Sequence, residues 1–342
     1  MSSEQLEAFS YDGLLVFNGL YTTNVLDANF DFDQVIEEDL TDFSKGSIER
    51  PGRGYRVLPF ADFVSDDPEI GRQIKDLLGD VHALRHLEEK WELRETIRDG
   101  TTEQVPTIRE RSSFDVYWAF PDYLFIRADK TKAETAGELL SLTLDEYLSM
   151  NEIEFDPDFL LWLFAKEKNS EGLPGNLSIN MLTDAEIRGS EPDLLGQRSK
   201  VDDSTDITKS ALVLINVLQQ KAFVALEGVF GLSDKFVRAR VSNDGRVHVK
   251  ADHAIHGSSD IERMAISIAF LREFTSLYES WKGLDDEYRL PPLEFLTDIY
   301  EECKRQGVEV TFSIDSVIEE YRQKGSSENY SDYQSGFDDF TE

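Results

Sequence analysis

Arg238, Arg240, Arg246, His248 and Lys250 occupy every second position of the stretch FVRARVSNDGRVHVKA, Phe236–Ala251. Val237, Ala239, Val241, Val247, Val249 and Ala251 fill the positions between them. In a strand, such alternation puts the cations on one face and the small apolar residues on the other. Asn243-Asp244-Gly245 tolerates positive φ and closes a tight hairpin between the two halves. The segment from Lys235 to Lys250 holds five Lys or Arg and one Asp, a local balance of +4. The chemistry this predicts is the binding of anions, above all a phosphate backbone. The competing expectation is a polar sheet face whose charge is balanced by an acidic helix lying over it.

Other residues with chemical potential are fewer. Arg50, Arg53 and Arg56 sit in a Gly-rich loop, RPGRGYR, where guanidinium groups would reach phosphates or pair with nearby acids. His82 and His86 would lie one turn apart on a helix, the spacing of two metal ligands, with His253 and His256 further along. Zinc requires three or four ligands and the chain has one thiol, so hydrogen-bonded histidines and no metal are expected. Pro121-Asp122 followed by Asp129-Lys130 approaches a metal-dependent nuclease pattern. Its acid and lysine are adjacent, however, and in a strand they would face opposite ways. Phosphate-loop, dinucleotide-binding and hydrolase-elbow motifs are absent, so neither an enzyme nor a cofactor is expected. Cys303 shares helical spacing with Leu296 and Ile299 and reads as core.

The chain has 342 residues, 68 Asp and Glu against 35 Lys and Arg, and a net charge of −33. The acidity is spread along the sequence, and 40% hydrophobic with 11% aromatic content suffices for a core, which argues against a disordered chain. The charge pattern predicts a salt-rich cytoplasm of the halophile type, where carboxylates hydrate the surface and salt screens their repulsion. A nucleic-acid mimic is the alternative. No secretory signal is expected from the opening residues MSSEQLEAFS, and no apolar run is long enough to span a membrane.

The elements that must position these residues read as α+β, with antiparallel β-hairpins and sheets packed with amphipathic helices. Leu14–Tyr21 predicts a first strand. A helix is expected from Asp67-Pro68-Glu69 through Trp91, with Ile70, Ile74, Leu77, Val81, Leu84 and Leu87 on one stripe. Phe114–Phe120 and Tyr123–Ala128 predict a hairpin, followed by a helix from Lys132 to Met150. Asp156-Pro157-Asp158 opens the apolar helix FLLWLF. Residues 172–200, rich in Gly, Ser, Pro and Asp, predict an irregular excursion, with Leu177–Met181 as a candidate edge strand. A helix then a strand are expected after Ser210. Ser259 and Glu262 form a capping box for the next helix. Pro291-Pro292 opens another, Val308–Phe312 reads as a short strand, and Ser313–Lys324 as a last helix.

The expected domains are an α+β unit over 1–166, a linker or excursion over 167–209, a second α+β unit over 210–325 and a disordered acidic-aromatic tail over 326–342. Tyr330, Tyr333, Phe337 and Phe340 recur in that tail among acids, a pattern suited to docking on a basic groove, either of another protein or of this chain's own hairpin.

Two segments resemble the C-terminal half of the recombination-associated RdgC family. Asp158-Phe-Leu-Leu-Trp-Leu-Phe164 is similar to that family's buried Phe-Leu-x-Trp-Leu helix. The hairpin Phe236–Ala251, followed by a helix ending Leu277-Tyr278-x-x-Trp281, is similar in order and character. The resemblance covers about a third of the chain, and the strong acidity departs from it. It implies a non-enzymatic protein that encloses duplex DNA without sequence preference, often as a ring-shaped homodimer. Arg238, Arg240, Arg246 and Lys250 would then contact the backbone. The alternative is a protein-interaction or assembly factor with no nucleic-acid role.

Overall fold

The computed structural model describes residues 13–26, 43–58, 80–98, 101–189, 196–233, 235–251, 260–308 and 313–324, with residues 30, 32, 35, 40, 72 and 75. The tail, His253, His256, Ser259 of the expected capping box and residues 309–312 lie outside them. The fold is α+β, with antiparallel sheets and packed helices. The chain divides into two compact units, residues 1–153 with 256–269, and residues 154–255 with 270–342. The first break therefore falls before the apolar helix, not after residue 166, because that helix packs on the second unit's sheet.

In the first unit, β1 (Leu15–Phe17) and β2 (Gly19–Val25) divide the expected first strand at Asn18, whose amide donates to the Ala128 carbonyl at 2.6 Å. The first unit's sheet joins β2 with β3 (Gly52–Leu58), β4 (Val81–Arg98), β5 (Thr101–Ala119), β6 (Tyr123–Arg127) and β7 (Leu148–Glu152), and β1 is not one of its strands. Its antiparallel order is β3-β4-β5-β6-β2-β7. Helix α1 (Lys130–Thr143) is capped by Asp129, which accepts from the Lys132 N–H at 3.1 Å. It buries Ala133, Ala136 and Leu140 against Leu84, Val116, Trp118 and Ile126. The helix expected to Met150 ends at Thr143, since Leu148–Glu152 instead pairs with β2.

The larger departure is β4. Val81–Trp91 is strand, although its apolar residues recur at helical steps. β4 is held between β3 and β5 and buries both faces, Ala83 on one and Leu84 on the other. A strand that is apolar on both faces loses the period-2 signal, and sheet pairing overrides local spacing. In a strand, His82 and His86 stand about 13 Å apart at the backbone, too far to share an ion. His82 stacks on Phe32 and pairs with Asp80 at 3.1 Å, while His86 stacks on Phe114 with ring centres 4.6 Å apart.

In the second unit, α2 (Pro157–Lys168) starts as expected, with Asp156 accepting from the Asp158 N–H at 2.8 Å and proline in the first turn. All its residues from Asp158 to Ala165 are buried, Phe159 against Phe274, Tyr278 and Trp281, and Phe164 against Phe223. β8 (Leu177–Arg188), β9 (Arg198–Val201), β10 (Ala222–Leu232), β11 (Lys235–Ser242) and β12 (Val247–Lys250) lie in the order β12-β11-β10-β8-β9. Helices α3 (Ala211–Leu218), α4 (Asp260–Lys282), α5 (Asp286–Arg289), α6 (Leu293–Arg305) and α7 (Ile314–Lys324) complete the chain. Phe274 of α4 and Phe223 and Phe230 of β10 form the core beneath this sheet, with Cys303 buried on α6. The expected excursion over 172–200 is thus corrected. It contributes the 12-residue β8, of which Leu177–Met181 pairs with β10 alone, as the expected edge strand would, while Ala185–Arg188 also pairs with β9.

Candidate anion-binding surfaces

The β11–β12 hairpin has the register its alternation predicts, with Val241 opposite Val247, Arg240 opposite His248, Ala239 opposite Val249 and Arg238 opposite Lys250. Gly245 adopts φ 74° in the turn, a conformation that disfavours side chains. The valines and Ala239 are buried, and the cations share the other face.

That face continues across the sheet. Asp184, Glu227, Arg240 and His248 form one cross-strand row. Lys200 and Glu186 are paired one row nearer the turn, and Val229, Arg238 and Lys250 lie one row further from it. The arginines are engaged by carboxylates of the neighbouring strands. Arg238 Nε donates to Glu227 Oε1 at 2.6 Å and its Nη2 lies 3.5 Å from Asp184 Oδ2. Arg240 Nη2 donates to Glu186 Oε2 at 2.9 Å, and Arg198 reaches the same carboxylate at 2.6 Å. Asp184 also accepts from the Thr183 hydroxyl at 2.5 Å and the Asp203 N–H at 2.9 Å. The neutralising acids therefore come from inner strands of the same sheet, where sequence suggested a covering helix.

Around this central belt the face stays cationic. Arg188, Arg198 and Lys200 rise on one side, and Arg246 and Lys250 on the other, about 19 Å away at four strand spacings. With Arg238 and Arg240, seven cationic side chains stand against Asp184, Glu186 and Glu227 and against Asp202 and Asp244, which pair with Lys200 (3.0 Å) and Arg246, a surplus of two. Arg246 pairs within its turn to Asp244 at 2.5 Å. His248 adds no charge at neutral pH, because burial, and then Arg246 and Arg240, hold its imidazole below the ordinary pKa. Phe236 lies at the end of the arginine column, opposite Gly231, with 46% of its surface exposed.

Arg50, Arg53 and Arg56 do not form one patch. The Arg50 carbonyl accepts from the Ser47 N–H at 2.7 Å in a turn, and Arg53 and Arg56, three residues apart on β3, face opposite ways. The register places Arg56, Arg85, Asp115 and Arg127 side by side across β3, β4, β5 and β6. Arg85 grips the Asp115 carboxylate with both Nε (2.7 Å) and Nη2 (3.1 Å), and Arg127 lies 3.8 Å from it. Arg56 and Arg85 of this row line a cleft of about 520 Å³ whose walls also include Phe43, Lys45, Leu58, Leu87 and Arg111. Arg111 donates to buried Glu89 at 3.0 Å, while Glu89 Oε2 is buried without a hydrogen-bond partner. Lys45 lies over the Trp91 ring and Arg56 over that of Phe43. The loop carrying Lys45 is tight, and a Cβ on Gly46 would lie 2.1 Å from the Gly52 nitrogen.

Sequence reasoning missed Arg188, Arg198 and Lys200 on the second sheet, and Lys45, Arg85, Arg111 and Arg127 in the first unit. Arg198-Ser-Lys-Val alternates as a strand would and offered a signal for the first group; the second converges only through strand register. Among the described residues no His, Cys, Asp and Glu cluster is arranged to hold a metal ion, and no helix is long and apolar enough to cross a membrane. No protein-family model and no curated protein matches the chain.

Proposed function

We propose that the protein is a non-enzymatic nucleic-acid-associated protein of a salt-rich cytoplasm, binding backbone phosphates on the outer face of the second unit's sheet. The observation that carries this reading is the surplus of two cations on one face of a chain with net charge −33. Arg246, Lys250, Arg188 and Lys200 are the contacts, and Arg238 and Arg240 hold the belt between them. Phe236 supplies an aromatic surface on which an unpaired base can stack. The partial likeness to the RdgC family supports the same class of activity and adds a homodimer to it. The test is binding to duplex and single-stranded DNA, followed by fluorescence anisotropy over a range of potassium chloride concentrations. Arg246→Glu with Lys250→Glu is expected to weaken binding for every sequence and to lower the salt slope by about one per lost contact. Absence of binding at low salt, or equal binding by that variant, rejects the reading.

A second reading, an interaction or assembly factor, is favoured by the β4–β5 ribbon. Beyond Lys90, among the described residues, only these two strands pair with each other, and Trp91, Leu93 and Ile97 line up with Pro106 and Ile108 on one face. Leu93 is 50% and Ile97 79% exposed, an apolar face of the kind that partners cover. A protein that co-purifies after nuclease treatment, and is lost on Leu93→Glu with Ile97→Glu, supports this reading over the first. An unpartnered chain counts against it.

A further inference from the structure

The cleft of the first unit has no place in either reading, yet its walls are those of a ligand site. We propose that it binds a small phosphate monoester with an apolar or planar body and free hydroxyls, the chemistry of a nucleotide. Three features select this class. First is charge. Lys45, Arg56, Arg85 and Arg111 on the walls face Glu88 and Glu89, a surplus of two. A phosphate monoester brings about −1.5 to −2 at neutral pH, and Arg is suited to gripping it with two parallel bonds. Ser112 and Ser113 add hydroxyl donors on the same wall. Second is the body. Phe43, Leu58 and Leu87 form an apolar wall, and about 520 Å³ lies within the range of roughly 300–1,000 Å³ usual for small-molecule pockets. Third is Glu89. Arg111 occupies one of its oxygens, and the other, buried and without a partner, is an acceptor that a ligand hydroxyl would satisfy.

The cleft is also built to hold its shape. Arg85 is fixed by two bonds to Asp115, and the loop bearing Phe43 and Lys45 is tied to β3 by the Phe43 N–H to Tyr55 carbonyl bond at 3.1 Å and the Ser44 N–H to Arg53 carbonyl bond at 3.2 Å. Donors fixed before binding lose little entropy when the anion arrives.

Isothermal titration of the full chain with adenosine monophosphate, inorganic phosphate and adenosine tests this. The proposal expects saturable binding of the monophosphate, at least about tenfold weaker binding of phosphate, and none of adenosine. Arg56→Glu and Lys45→Ala change exposed side chains and are expected to fold with an unaltered melt, and to weaken the monophosphate by about tenfold or more, the loss of one charge-assisted contact. No saturable binding of the monophosphate overturns the proposal. So does equal affinity for inorganic phosphate, for adenosine, or in both variants. Arg246→Glu with Lys250→Glu leaves the monophosphate affinity unchanged, so this site and the nucleic-acid reading fail separately.

Discussion

Arg240 separates a structural arginine from a ligand-binding one. Its guanidinium is 22% exposed and donates to Glu186, whose side chain is only 9% exposed and whose remaining partner, Arg198, is 65% exposed. Arg240→Ala leaves that carboxylate buried with one solvent-facing partner. Breaking a fully buried pair costs about 3–5 kcal/mol. Here Arg198 still meets the charge and Arg240 is partly solvated, so about 1.5–2.5 kcal/mol is expected. For a unit of this size that corresponds to a fall of roughly 4–8 °C in the melting temperature. Lys250→Ala, which breaks no ion pair among the described residues, should stay within about 0.5 kcal/mol. Circular dichroism melts of the two variants, paired with DNA binding by anisotropy, give the comparison. Glu186→Gln in the Arg240→Ala background should cost less than the sum of the single changes, because the pair is already broken. The argument is refuted if Arg240→Ala melts with the parent protein while losing DNA binding as Lys250→Ala does.

Two further outcomes are expected. Burial holds His86 below the ordinary histidine pKa, so the folded state keeps it neutral and the unfolded state takes up the proton first. Its contribution is full above pH ~6.5 and declines as pH falls, by up to about 1.4 kcal/mol per pH unit, and His86→Phe should flatten that part of the denaturation profile between pH 7 and 5. The excess of carboxylates should lower the melting temperature as potassium chloride drops below roughly 1 M; an unchanged midpoint down to about 0.1 M would remove the halophilic reading and favour a nucleic-acid mimic.

The parts of this fold that were legible in the sequence are those whose determinants are local. Phe236–Ala251 alternates strictly and carries its own turn, so both register and faces follow from sixteen consecutive residues. Asp156-Pro157 carries its own cap and first-turn proline, so the start of that helix is written locally. The second half of β8, beyond Met181, was hidden for the opposite reason. Asp184 and Glu186 are poor strand residues taken alone, and become favourable only when Arg238 and Arg240, 54 positions away, lie across from them. β4 was hidden because burial on two faces erased its alternation. The cleft was hidden most completely, since Lys45, Arg56, Arg85 and Arg111 come from a loop and three strands and meet only when both registers are set.

Under the proposed function, the acidity and the cationic face are compatible only if binding does not rest on charge alone. With about four phosphate contacts and a slope of roughly −0.9 per contact on duplex DNA, a rise from 0.1 to 1 M salt costs nearly four powers of ten in affinity. A salt-rich cytoplasm therefore leaves counterion release little to give. Stacking does not weaken in that way, and contributes about 1–3 kcal/mol per base. Phe236, exposed beside the arginine column, is placed to supply it, but only to a base that is not already stacked inside a duplex. Single strands should therefore be retained better than duplexes as salt rises, and Phe236→Ala should abolish the difference. If duplex and single strand instead lose affinity in parallel and Phe236→Ala changes neither, the face works by charge alone and is confined to low-salt conditions.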